Sequence, residues 1–113
     1  ILLEFRNLYC PYGRKAVDEL GEVAKLYSKE LEIITFLDDT RAILWERFLA
    51  EDQTDWTKLW DGAGETGITC AAYDIKGSPH YYLFSPDGII RAKWSGYDTG
   101  LIKESLQVLT NGK

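Results

Sequence analysis

Ile1 to Phe5 is apolar at every position except Glu4, which predicts a short central strand buried on both faces. Asn7 to Gly13 contains Pro11 and Gly13 and reads as a turn. From Arg14 to Lys29 the apolar residues Ala16, Val17, Leu20, Val23, Ala24, Leu26 and Tyr27 recur at helical spacing. Gly21 weakens that helix by about 1 kcal/mol relative to Ala. Leu31–Leu37 is rich in β-branched and aromatic residues, a second strand. Asp38-Asp39-Thr40 then offers capping side chains to a helix over Arg41–Glu51. Asp55–Trp60 holds a short extended piece, Asp61–Gly64 a loop and Thr66–Tyr73 a short helix, broken by Lys76-Gly77-Ser78-Pro79. His80–Phe84 and Ile89–Trp94 flank Ser85-Pro86-Asp87-Gly88, whose Pro and Gly suit a tight turn, so these strands form a hairpin. A last helix, capped by Asp98 or Thr99, runs to about Leu109 with Leu101, Ile102, Leu106 and Leu109 on one face.

The order β-α-β-α-(β)-α-β-β-α implies parallel strands joined by crossover helices, then an antiparallel hairpin. The fold class is α/β: a central mixed sheet with helices on both faces. At 113 residues the chain suits a single domain, 1–113, and 45% apolar residues support a packed core. The opening Ile1-Leu2-Leu3 is already strand-like and no Met precedes it, so the domain is expected to be excised from a longer chain. A net charge of −5 argues against a nucleic-acid surface. No apolar run reaches membrane-spanning length. Two cysteines do not make a disulfide scaffold, and a lone His80 without paired Cys/His spacing does not build a metal site.

Chemistry concentrates on Cys10, which lies after the first strand and before the first helix. The N–H groups at a helix start favour an anion, and a thiol there is lowered in pKa and more nucleophilic. Arg14 and Lys15 add to this at longer range. The competing reading is a small buried hydrophobe, the common fate of a cysteine outside a disulfide.

Leu3-Glu4-Phe5 followed by Tyr9-Cys10-Pro11-Tyr12-Gly13-Arg14 resembles the strand and active-site segment of thioredoxins. Tyr73-Asp74-Ile75-Lys76-Gly77-Ser78-Pro79 resembles the approach to their cis-proline, and Tyr82 to Ile90 the hairpin after it. The helix Arg41–Glu51 and the piece around Trp56–Asp61 are similar to the insertion of TlpA/ResA-like members, which are extracytoplasmic thiol–disulfide proteins. The resemblance covers almost the whole chain and implies a thioredoxin-like fold. It departs at the motif: the family has Cys-x-x-Cys, and here Gly13 stands in the second cysteine's place.

The resemblance implies roles for several residues. Cys10 is the nucleophile, and Glu4, six residues earlier, matches the buried acid that exchanges protons with the second cysteine. A buried carboxyl has a raised pKa and can act as acid or base, although Gly13 removes its usual client. The alternative is that Glu4 reaches solvent near the strand end. Pro79 matches the cis-proline, with the Ser78 backbone pairing an extended peptide; Tyr9, Pro11 and Tyr12 form the rim that receives it. Cys70 is the only internal candidate for a second thiol, set against the reading of a core thiol. His80 can support a thiolate if it faces Cys10, or is simply a surface or hydrogen-bonded residue. Trp45, Trp56 and Trp60 read as a satellite core, and Glu51, Asp52 and Asp55 as a solvated face.

Two functions follow. One is a thioredoxin-like, TlpA/ResA-like thiol–disulfide oxidoreductase with impaired dithiol cycling. It forms mixed disulfides with protein or peptide thiols or responds to oxidation, needs no dissociable cofactor, and sits in the periplasm or on a membrane tether. The other is a redox-inactive thioredoxin-fold scaffold or binding module. A peroxidase role is disfavoured, because Asn7 stands where peroxiredoxins carry Thr in Pro-x-x-x-Thr-x-x-Cys.

Overall fold

A computed structural model of the chain describes residues 1–6, 11–52, 54–64, 67–73, 79–96 and 100–107, with the side chains of 11–14 and 101 set aside. Its centre is β1 (Leu2–Arg6), flanked by a parallel partner, β2 (Ile33–Leu37), and an antiparallel one, β4 (His80–Phe84). β3 (Thr57–Leu59) runs parallel to β2, and β5 (Ile90–Ser95) antiparallel to β4, giving the order β3-β2-β1-β4-β5. The helices are α1 (Pro11–Leu26), α2 (Ala42–Glu51), α3 (Ile68–Ala72) and α4 (Leu101–Leu106). The α/β mixed sheet expected from the sequence is therefore present, with the short piece before Trp60 as its edge strand.

Period-two alternation divides the sheet into two faces. On one, Ala16, Leu20 and Val23 of α1 and Ile102 and Leu106 of α4 pack on Leu2, Ile33, Tyr81 and Leu83, all buried. On the other, Phe5, Phe36 and Tyr82 gather around Cys70 of α3. Both layers must close over β1, which explains why its apolar run carries no solvent-facing alternation.

α1 begins at Pro11, three residues earlier than the periodicity implies. Proline suits the first helical position, where its preset φ and missing N–H cost nothing. In the hairpin, Gly88 has φ +84° and its N–H donates to Ser85 O at 2.9 Å. A left-handed residue after a tight turn shifts the strand register, here between Leu83 and Phe84.

The caps differ from expectation. The N-cap of α2 is Arg41, and no side chain of the Asp38–Thr40 segment caps the helix. Asp39 instead accepts from the Arg41 backbone N–H (2.9 Å) and, through both carboxylate oxygens, from its guanidinium (3.0 and 2.8 Å). The N-cap of α4 is Gly100; Asp98, Thr99 and the expected helix end near Leu109 lie outside the described residues. A distant carboxylate serves α4: Glu19 of α1 accepts from the N–H groups of Gly100 (2.7 Å) and Lys103 (3.0 Å). Free N–H groups at a helix start are what a buried anion needs.

The hydrogen bonds from Arg41 hold the Asp39 carboxyl below the usual carboxylate range. A lowered folded-state pKa contributes stability above the unfolded value, near 3.9, and loses it as pH falls through the folded one. Asp39→Asn is expected to cost about 1 kcal/mol at neutral pH, since Asn keeps the backbone acceptor but not the charge. The gap should close in acid, and urea denaturation of both proteins across that pH range checks it.

Candidate functional site

β1 ends at Arg6 and α1 starts at Pro11, so residues 7–10 connect the central strand to the long helix of the same sheet face. Tyr9, Cys10 and Ser78 lie outside the described residues, as do the side chains of Pro11 and Tyr12. Pro79 is fully buried, and its carbonyl accepts from the Gly96 N–H at 2.8 Å. The antiparallel register pairs Phe5 with His80, which sets Pro79 level with Arg6 at the end of β1 that leads into the motif. The structure thus brings the strand before Cys10 and the proline segment side by side. His80 is half-buried and stacks on Tyr82, with ring centroids 6.0 Å apart.

Glu4 is fully buried and does not reach solvent. It points to the α1 face, within a polar network that the sequence reading did not foresee. Its Oε1 accepts from Arg6 Nη2 (3.0 Å) and Nε (3.2 Å) and from the Thr35 hydroxyl (2.8 Å). Its Oε2 accepts from the Tyr81 hydroxyl (3.2 Å). Thr35 in turn accepts from Trp56 Nε1 at 2.9 Å. Arg6 is itself 3% exposed and lies over the Phe48 ring of α2, 5.3 Å from its centroid. Glu4 thus belongs to a buried ion pair with neutral donors around it, built from β1, β2, β4 and the segment before β3.

A sequence signal for this existed. Arg6 is two residues from Glu4 and hence on the same strand face; ending the strand at Phe5 left it out. Thr35 is the polar residue within an otherwise apolar strand, and the parallel register sets it directly beside Glu4.

Cys70 is fully buried among Phe5, Phe36 and Tyr82, the position of a core thiol. The three tryptophans do not form one group. Trp45 and Trp60 stack at 5.6 Å, and Trp60 Nε1 donates to Asp39 O, whereas Trp56 packs on the α1-side core. Asp52 departs from the solvated-face reading: it pairs with Lys58 at 2.9 Å, both side chains largely buried. Among the described residues no cluster of His, Cys, Asp and Glu could hold a metal ion, and no helix is long and apolar enough to cross a membrane.

No protein-family model and no curated protein matches the sequence. Similarity appears in structure. A thiol-disulfide oxidoreductase from Bacteroides fragilis superposes with a TM-score of 0.79 at 26% identity, over 96% of this chain and 79% of its own. The pneumococcal exposed lipoprotein thioredoxin Etrx1 from Streptococcus pneumoniae gives 0.76 at 16% identity, over 94% and 82%. StoA from Bacillus subtilis gives 0.71 at 18%, over 91% and 78%. With this sheet order, these crossover helices and these structural neighbours, the chain has a thioredoxin-like fold, similar in architecture to TlpA/ResA-like thiol-disulfide oxidoreductases.

Proposed function

We propose that this chain is a TlpA/ResA-like thiol–disulfide oxidoreductase domain that works through one motif thiol, Cys10. The observation that carries the reading is the superposition, over nearly the whole chain, on a thiol-disulfide oxidoreductase. Local features support it: Cys10 directly precedes Pro11, the first residue of a sixteen-residue helix, where partial positive charge stabilises a thiolate. Buried Pro79 flanks the same end of β1.

The Cys10 thiolate attacks one sulfur of a target disulfide. A mixed disulfide forms, and the target's other sulfur leaves as a thiolate. Gly13 has no thiol to attack that intermediate, so release needs an external thiol. The mixed disulfide therefore accumulates. Tyr9, Pro11, Tyr12, Ser78 and Pro79 receive the partner peptide, and Glu4 is the buried acid beneath the motif. The partners are protein or peptide thiols and disulfides. The domain acts outside the cytoplasm; the exposed lipoprotein thioredoxin among its neighbours supports that placement.

The test is the pH dependence of Cys10 alkylation in a Cys70→Ala background. An apparent pKa well below the ordinary thiol value of about 8.5 is expected. Mixed disulfides with a model disulfide peptide should also persist until dithiothreitol is added. A normal or raised pKa, or labelling only in denaturant, overturns the nucleophile assignment and leaves a redox-inactive thioredoxin-fold scaffold.

A further inference from the structure

Glu4, proposed above as the acid of the motif, has no second thiol at position 13 to serve, and the network around it shows what it faces instead. Arg6 donates only, cannot lose its charge in a protein, and is 3% exposed. A permanent cation with so little water needs a buried anion, and its ion-pair partner is Glu4. The neutral donors agree. Trp56 Nε1 can only donate, so Thr35 Oγ1 accepts from it and turns its own hydrogen toward Glu4 Oε1. Three donors therefore converge on Oε1, two from Arg6 and one from Thr35. An added proton there would face all of them. The Tyr81 hydroxyl occupies Oε2.

We infer that Arg6 is a positioning residue that commits Glu4 to the charged form, making the acid under the motif a fixed counter-charge and not a proton reservoir for the thiol. Its bearing on thiol chemistry rests on the reading of Cys10 given above; the state of the carboxyl does not. Among the described residues, the groups engaging Glu4 are Arg6 on its own strand, Thr35 from β2 and Tyr81 from β4. Of these, only Arg6 brings charge at neutral pH. Without it, the Glu4 charge would lie buried among neutral donors with no counter-charge beside it.

The experiment is infrared difference spectroscopy at neutral pH on protein carrying ¹³C-labelled glutamate. Wild type minus Glu4→Gln should show carboxylate stretches and no protonated-carboxyl band. Arg6→Met should convert this one glutamate to the protonated band, which the double variant Glu4→Gln/Arg6→Met lacks; Arg6→Lys should keep the carboxylate. A protonated Glu4 band in wild type overturns the inference, whether or not Arg6→Met folds. An Arg6→Met protein that folds and retains the carboxylate overturns it too. As a second readout, wild-type Cys10 alkylation should titrate in one step, and a second step abolished by Glu4→Gln would count against it. If Cys10 proves unreactive, the function falls while the infrared result still decides the state of Glu4.

Discussion

Phe5→Ala is expected to lower stability by about 3–5 kcal/mol, enough to remove much of the margin of a domain this size. Phe5 is fully buried in the central strand and meets three rings, with centroids 5.4 Å from Phe36, 5.2 Å from Tyr73 and 6.3 Å from Tyr82. The truncation forfeits the transfer energy of the ring and leaves a cavity the sheet cannot close, since β1 is hydrogen-bonded on both sides. The tilted and edge-on contacts add about 0.5–1.5 kcal/mol per pair beyond area. Tyr82 also donates its hydroxyl to Tyr73 O, so the loss reaches the end of α3. Urea denaturation measures the change. A cost below about 1 kcal/mol would mean that the α3 layer repacks freely and does not anchor the strand.

Glu4→Leu is expected to cost a similar amount, about 3–5 kcal/mol, for a different reason. The volume is nearly kept, but Arg6 is left as a buried cation without its counter-charge, and Thr35 and Tyr81 lose their acceptor. Glu4→Leu/Arg6→Met, which removes both charges, should recover most of the loss, because an apolar pair of similar size can replace a buried ion pair. Denaturation of the two singles and the double closes the cycle. A double variant no better than Glu4→Leu would show that the pair contributes little to one another and that the neutral donors carry the cost.

The elements set by a clear apolar period were legible in the sequence. β1, β4, the hairpin turn and the face of α1 that buries Ala16, Leu20 and Val23 all follow from alternation, helical spacing or turn residues. What stayed hidden depends on side-chain pairings that no local period encodes. Nothing near Gly100 announces that its cap comes from Glu19, and Asp39 looks like a cap until Arg41 is seen wrapped onto it. Asp52 looked solvated because its partner Lys58 arrives from the other side of a turn. At the candidate site, Glu4 stood out as a lone charge in an apolar strand, while Pro79 was singled out only through the resemblance of its segment to the approach to a cis-proline. The partners of Glu4 could not, because Thr35 and Tyr81 reach it only through strand registers. A charged residue in the strand's last position was also discounted, although being two residues from Glu4 it had to share that face.

The carboxylate of Glu19 joins two ends of the chain: it sits in α1 and holds the first amides of α4. Hydrogen exchange should therefore treat the two helices as one opening unit. The Gly100 and Lys103 amides become exchangeable when α1 swings away, as well as when α4 frays. Their protection then reports on the helix that begins beside Cys10, so a partner that clamps or pries that helix would be felt at residues about ninety positions away in the chain.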